Sequence, residues 1–145
     1  DVHGPGFDFF LTGSVWLLLA ECIDDAKNRE PIIAHVSADN LSRIIASQEI
    51  LVNNVDKTFP GINVLAAEAY MSATKYKTLF KKITGLSANT FFLNNKLEVA
   101  KEMLESGGVT IGEVADRLNF TNAPYLTAQF KAYFGVAPKE YTSKL

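Results

Sequence analysis

The segment TIGEVADRLNFTNAPYLTAQFKAYFG, residues 110–135, decides the fold, because it predicts two short helices joined by a tight turn. Apolar residues recur at helical spacing on both sides of the turn. On the second helix they predict an inward face that consists of Leu126, Phe130, Tyr133 and Phe134. Asn119 stands in the turn, where it tolerates the left-handed backbone conformation at modest strain. The outer face of the second helix, which is expected to meet water, carries mostly small and uncharged side chains.

A similar corner occurs once more, upstream in the chain. Residues 80–91, FKKITGLSANTF, align without a gap with residues 130–141, FKAYFGVAPKEY. Ala66 and Ala115 each precede a predicted turn by four positions, and small side chains suit a close crossing of two helices. The repeat therefore predicts a pair of helix-turn-helix motifs. Packing within a plain helical bundle is the alternative interpretation.

The remaining periodic segments have helical spacing, so we predict an all-α fold. It consists of two helix-turn-helix subdomains, similar to a pair of homeodomain-like units, joined by a long linker helix and preceded by a helical extension. Such a linker would place the two protruding helices in successive major-groove faces, about 34 Å apart. The expected domains are a helical segment over residues 1–36 and a DNA-binding domain over residues 37–145. Outside the repeated corners, helices are predicted over residues 8–28, 39–57 and 88–105.

Composition narrows the range of functions. The formal net charge is −2, but residues 1–59 carry four basic and nine acidic residues, whereas residues 60–145 carry ten and seven. The carboxyl-terminal part is thus basic, as a nucleic-acid-binding surface requires. A single cysteine and two histidines give no disulfide and no metal-ligand spacing, so we expect no metal, no cofactor and no catalytic residue. The longest apolar run, residues 9–20, is shorter than a membrane span.

The acidic amino-terminal segment carries a broad apolar face. Its apolar residues recur at helical spacing over residues 8–27, and such a face needs a partner. This predicts either a helix that forms a homodimer or the closing helix of a preceding domain. Packing of the segment on the DNA-binding domain of the same chain is an equal alternative.

Two stretches resemble a known family. Residues 96–138, KLEVAKEMLESGGVTIGEVADRLNFTNAPYLTAQFKAYFGVAP, are similar to the signature of the AraC/XylS family of bacterial transcription regulators. Residues 65–85, LAAEAYMSATKYKTLFKKITG, resemble the first helix-turn-helix motif of that family. The resemblance implies a cytoplasmic regulator that binds double-stranded promoter DNA and recruits or positions RNA polymerase. It also implies that residues 1–36 are the tail of a sensor or dimerisation domain.

Three positions depart from the family pattern. Asn119 stands where the family usually has glycine, Lys96 takes the place of a common arginine on the linker helix, and Ala128 stands where relatives often present a long polar side chain. The last difference puts base recognition by the second motif in question.

The outward positions of the two recognition helices are the candidate DNA contacts. The first helix offers cations and threonines, namely Thr74, Lys75, Lys77, Thr78 and Lys81. The second offers smaller side chains and one cation, namely Asn122, Pro124, Thr127, Ala128 and Lys131. The alternative is that the lysines form only a solvated helix face. The lysines alone would favour that alternative, whereas the internal repeat favours contact with DNA. A helical protein-interaction module that does not bind DNA is the alternative function.

Overall fold

The computed structural model describes residues 36–145, and this part of the chain is helical without a strand. The predicted all-α class is therefore confirmed. The helix predicted over residues 8–28 and the dimerisation surface predicted over residues 8–27 lie outside the described residues. The helices of the described part are α1 (Ala38–Asn53), α2 (Ile62–Glu68), α3 (Ala73–Thr84), α4 (Ala88–Ser106), α5 (Ile111–Arg117), α6 (Ala123–Phe134) and α7 (Pro138–Ser143). None of these seven is long and apolar enough to cross a membrane.

One helix ends earlier than the sequence predicts, and one helix was not predicted. Helix α1 was expected to run to Lys57 but ends at Asn53. The Asn54 side chain donates to the Ile50 carbonyl at 2.6 Å, and its backbone N–H bonds the Leu51 carbonyl instead of continuing the helical pattern. The Asn54 side chain thus occupies the Ile50 carbonyl, to which the Asn54 backbone N–H would bond if the helix continued. Helix α7 was not predicted, although Pro138 occupies a favourable first-turn position.

The described chain forms two compact units, each of which contains one helix-turn-helix motif. The first unit comprises residues 36–49 and 62–88, and includes α2 and α3. Its core is formed by Ile44, Leu65, Ala66, Tyr76 and Phe80, none of which exposes more than 2% of its surface. Tyr76 also forms a buried hydrogen bond with Ser47 of α1, with 2.6 Å between the two hydroxyl oxygens.

Removing the Tyr76 hydroxyl is expected to destabilise the protein. Tyr76→Phe leaves the buried Ser47 hydroxyl without this partner, which should lower the free energy of unfolding by about 1–2 kcal/mol. Urea denaturation followed by circular dichroism measures the loss. In the double variant with Ser47→Ala, both polar groups are gone, and we expect part of the stability to return. Equal stability of wild type and Tyr76→Phe would contradict the prediction.

The second unit comprises residues 50–61 and 89–145, and includes α5 and α6. Buried apolar side chains from α4 to α7 form its core, among them Leu97, Ala100, Leu104, Val114, Leu118, Leu126, Phe130 and Pro138. Tyr133 was predicted to belong to this core, but 42% of its surface is exposed. Its hydroxyl donates to Glu98 Oε1 at 3.0 Å, so the ring lies along the surface.

The two turns have the same hydrogen bond, which supports the internal repeat. The Met71 N–H donates to the Ala66 carbonyl at 2.9 Å, and the Phe120 N–H donates to the Ala115 carbonyl at 2.8 Å. Tyr70 and Asn119 hold the turns in the left-handed region, each with φ 55°. The second turn has one residue more between its helices, as the sequence predicts.

The helix ends repeat as well. Gly85 and Gly135 take the left-handed conformation after α3 and α6, and the N–H of each donates to a lysine carbonyl. Ser72 and Asn122 cap the starts of the same two helices with their side-chain oxygens. Both recognition helices therefore have defined ends.

Candidate nucleic-acid interface

Helix α3 presents a continuous exposed face opposite its buried residues. The spacing i, i+3, i+4 and i+7 brings Thr74, Lys77, Thr78 and Lys81 to one side of the helix, and all four are exposed. Lys75 is exposed beside them. The structure thus groups the five candidate residues of the first motif on one surface.

This face is strongly basic. Helix α3 contains Lys75, Lys77, Lys81 and Lys82 and no acidic residue. Within residues 36–145, none of these lysines has an ion-pair partner, since the ion pair described there joins Arg43 to Asp39. The Thr78 hydroxyl donates to the Thr74 carbonyl at 2.9 Å, which leaves the threonine methyl for apolar contacts. A cationic helix with free lysines and outward methyl groups suits phosphates and thymine in a major groove.

Helix α6 presents the equivalent positions with different chemistry. Fifty residues after the α3 set, Pro124, Thr127, Ala128 and Lys131 share one face; Thr127 is half-buried and the others are exposed. Lys131 is the one lysine of this helix. Pro124 lies in the first turn, where its missing N–H costs little. The structure therefore groups these four residues and confirms that the face has few hydrogen-bonding side chains.

Asn122 has a structural task at this face. Its Oδ1 accepts a hydrogen bond from the Tyr125 N–H at 2.8 Å and caps α6. The side chain is exposed, so its amide N–H groups face solvent at the helix start. The distance between the α3 face and the α6 face stays a prediction.

Sequence reasoning missed Tyr125 as a candidate residue. It lies fifty residues after Lys75, exposes 42% of its surface and stands on the first turn of α6. Its ring centroid lies 6.3 Å from that of Phe120. Adding the fifty-residue offset of the repeat to each outward position of α3, including Lys75, would have identified Tyr125.

In the sequence, Lys96 differs from the arginine common in the family. In the structure, it is buried under the second turn. Only 5% of its surface is exposed. Its Nζ donates to the Leu118 carbonyl at 2.7 Å and to the Asn119 carbonyl at 3.4 Å. Burial lowers the pKa of Lys96 to about 8, while the negative charge of Asp56 acts in the opposite direction.

Aromatic rings and one further hydrogen bond complete the surroundings of Lys96. The Nζ lies 4.9 Å from the Phe92 ring centroid and 5.4 Å from that of Phe120, within the range of cation–π attraction. Asn119 Nδ2 donates to Thr58 Oγ1 at 2.6 Å. A cleft of about 150 Å³ opens beside these residues, which belong to the same unit.

Comparison with known proteins gives consistent matches. A family model described as a helix-turn-helix domain matches residues 65–144. The HTH-type transcriptional regulator YidL of Escherichia coli K12 is 35% identical over 74 residues, which are 51% of this chain and 25% of YidL. The Msm operon regulatory protein of Streptococcus mutans is 22% identical over 95% of this chain and 49% of its own length. The chain thus spans less than half the length of each of these relatives.

A solved structure shares the fold. The DNA-binding domain of the global transcriptional factor AdpA, solved in complex with a target DNA, superposes with a TM-score of 0.65 at 24% identity. The match covers 70% of this chain and 91% of that one. It confirms the predicted fold class, an all-α fold with two helix-turn-helix subdomains.

Proposed function

Because the chain belongs to the AraC-type helix-turn-helix family of transcriptional regulators, we propose that it binds promoter DNA through α3 and α6 in adjacent major grooves. The observation that carries the proposal is the exposed face of α3, with four lysines and no acidic residue. The DNA complex of AdpA supports it, since that protein has the same fold. The family consists of regulators, which argues against an enzyme and leaves a DNA-free interaction module without support.

The first motif reads bases. Lys77 lies at the centre of the exposed α3 face, where its ammonium can donate to guanine O6 and N7. Thr74 and Thr78 lie on the same face, and the methyl of Thr78 is free to pack against thymine because its hydroxyl is bonded within the helix. Lys75 and Lys81 flank this centre and bind phosphates, which fix the position of the helix without reading sequence.

The second motif grips the backbone. Ala128 and Pro124 offer no side-chain hydrogen bond, so direct recognition of bases by α6 is limited to apolar contacts such as thymine methyls. Lys131 and Thr127 bind phosphates, together with the amide of Asn122 and the Ala123 N–H at the helix start, since Pro124 has no N–H and that of Tyr125 is bonded to Asn122. The plain outer face of α6 follows from this division of tasks.

The remaining assignments concern the whole protein. We place it in the bacterial cytoplasm, where it would recruit or position RNA polymerase at a promoter. Residues 1–36 would be the tail of a sensor or dimerisation domain, and residues 8–27 would carry the homodimer contact. Residues 37–145 would form the DNA-binding domain. Sedimentation of the chain at high concentration tests the dimer, which a strictly monomeric species would exclude.

Two alanine variants test the division of tasks. Lys77→Ala is expected to change the preferred sequence, with about tenfold to hundredfold less discrimination at one base pair, because a guanine contact is lost. Lys131→Ala is expected to weaken binding to all sequences alike, because a phosphate contact is lost. Selection from random duplexes, followed by affinity measurements on the recovered sites, separates the two effects.

Lys144→Ala is the matched control, since this exposed lysine lies beyond α7 and outside both candidate faces. It should leave the selected sequence and the affinity close to wild type. A uniform loss of affinity in both Lys77→Ala and Lys131→Ala, with no change of preferred sequence, would show that the first motif does not read bases.

A further inference from the structure

Each of the two turns receives a cation from the helix that precedes its motif. Arg43 of α1 donates from Nη1 to the carbonyl of Ala69 at 3.3 Å, and its guanidinium lies 5.3 Å from the centre of the Tyr70 ring. Lys96 of α4 donates to the carbonyl of Leu118, which is the equivalent turn residue. The internal repeat thus includes a side-chain cation that binds the carbonyl end of the first helix of each motif, where the helix dipole favours positive charge.

The two cations differ in chemistry and burial. Arg43 is partly exposed and forms an ion pair with Asp39 at 2.8 Å, and arginine as a residue type keeps its charge in proteins. Lys96 is buried against aromatic rings, and lysine loses its proton readily in such surroundings. Only the second turn is therefore held by a group whose charge changes in an accessible pH range.

The held turn leads directly into the proposed DNA contacts. Asn119 binds Lys96 through its carbonyl and Thr58 through its side chain, and the cap of α6 follows three residues later at Asn122. The direction of α6 depends on the conformation of these few residues. Loss of one strong contact here would misplace the first turn of α6 relative to a phosphate.

We propose that Lys96 is a positioning residue of the second motif, whose ammonium holds the turn before α6 so that DNA affinity depends on its charge. The inference rests on the proposed DNA binding and adds a regulated element to it. A neutral amine would keep N–H donors but lose the charge-assisted bonds to the two carbonyls and the attraction to both rings.

The charged and titratable groups near Lys96, among the described residues, are the Asp56 carboxylate and the Tyr125 phenol, which lines the same cleft. The lowered pKa of Lys96 places its proton loss in the free protein near pH 8. Phosphates bound at α6 favour the ammonium and raise this pKa in the complex. DNA affinity should then fall as the pH rises from the pKa of Lys96 in the free protein to its higher pKa in the complex. The fall is up to about tenfold for each unit of difference between these two pKa values.

Stability should follow the opposite direction, which separates positioning from a general structural role. The unfolded chain keeps the ordinary lysine value of 10.5, so above pH 8 the unfolded state binds more protons than the folded state. The contribution of Lys96 to the free energy of unfolding therefore rises between pH 8 and about pH 10.5. If the charge of Lys96 supported only the fold, a rise in pH would not lower the DNA affinity of the protein while its free energy of unfolding increased.

The experiment compares wild type with Lys96→Arg, which keeps its charge as Arg43 does at the equivalent turn. Affinity for the duplex selected by the wild type is measured by fluorescence anisotropy from pH 6.5 to 9.5 at constant ionic strength. Urea denaturation at the same pH values gives stability, and the ¹³Cε resonance of Lys96 gives its pKa without DNA. We expect wild-type affinity to fall about threefold to tenfold more than that of Lys96→Arg, without a loss of stability.

Identical pH profiles of the two proteins would overturn the proposal, as would a parallel fall of affinity and stability in the wild type. Lys96→Met removes the charge at every pH and should bind more weakly than wild type at pH 7, with a flat profile. Should this variant fold poorly, the comparison with Lys96→Arg still decides. A wild type that binds no duplex at pH 7 would instead overturn the proposed function itself, whereas binding without the pH difference overturns only the role of Lys96.

Discussion

Replacing Phe130 with alanine is expected to lower the free energy of unfolding by about 3–5 kcal/mol. The side chain is completely buried in the second unit. Its ring centroid lies 4.5 Å from that of Phe134 and 5.8 Å from that of Tyr141, so the substitution removes contacts to α6 and α7 at once. Apolar transfer free energy and the cavity left behind both add to the loss, since a packed core relaxes only in part.

Tyr133→Ala is the matched control, because it removes an aromatic side chain of similar size from the same helix. Its ring is 42% exposed and its hydroxyl meets Glu98 at the surface. We expect a loss well below that of Phe130→Ala, at roughly 1 kcal/mol. Urea denaturation monitored by circular dichroism measures both variants. Similar losses of unfolding free energy in the two variants would contradict the difference in burial between Phe130 and Tyr133.

The repeat could be predicted from the sequence because its signals are local. The apolar stripe of a recognition helix, the side chain that caps its start and the glycine that ends it all lie within about a dozen residues, as Phe130 and Gly135 illustrate. The left-handed turn at Asn119 belongs to the same class of signal. Local propensity and tertiary packing agree at these positions, so both corners were predicted correctly.

Features that depend on distant groups were not predicted. The acceptors that make burial of Lys96 tolerable are carbonyls 22 and 23 residues away, and no periodicity records them. Tyr133 has core spacing, but a partner 35 residues away keeps it at the surface. Sequence patterns thus predicted the described helices other than α7, and missed interactions between residues far apart in the chain.

The candidate DNA contacts could be grouped from the sequence because helical spacing alone puts them on one face. The spacing does not show which hydrogen bonds each side chain already forms within the protein. The Thr78 hydroxyl is bonded within α3, and the Asn122 Oδ1 caps α6. Each side chain therefore has one polar group fewer available for a hydrogen bond to DNA. Neither bond changes the assignment of the faces. Both restrict the contacts that remain to the threonine methyl and the asparagine amide.

Affinity for duplex DNA is expected to fall about 150-fold when salt rises from 50 to 200 mM. Four exposed lysines would each release a counterion on binding, namely the proposed phosphate contacts Lys75, Lys81 and Lys131 and, next to Lys81 on the same helix, Lys82. Four such contacts give a slope of about −3.6 in a plot of log affinity against log salt concentration. Anisotropy titrations at five or more salt concentrations, at constant pH, measure this slope.

The slope also counts the contacts, which allows the phosphate contacts assigned to α3 to be tested. Lys75→Gln combined with Lys81→Gln should flatten it by about 1.8, because two phosphate contacts are removed, whereas Lys144→Gln should leave it unchanged. A slope near zero in the wild type would contradict counterion release and favour a protein partner for the basic face. A steep slope that the Lys75→Gln and Lys81→Gln double variant leaves unchanged would place the phosphate contacts on another surface. The number of counterions released therefore tests, more directly than affinity alone, whether the unpaired lysines of α3 lie against a nucleic-acid backbone.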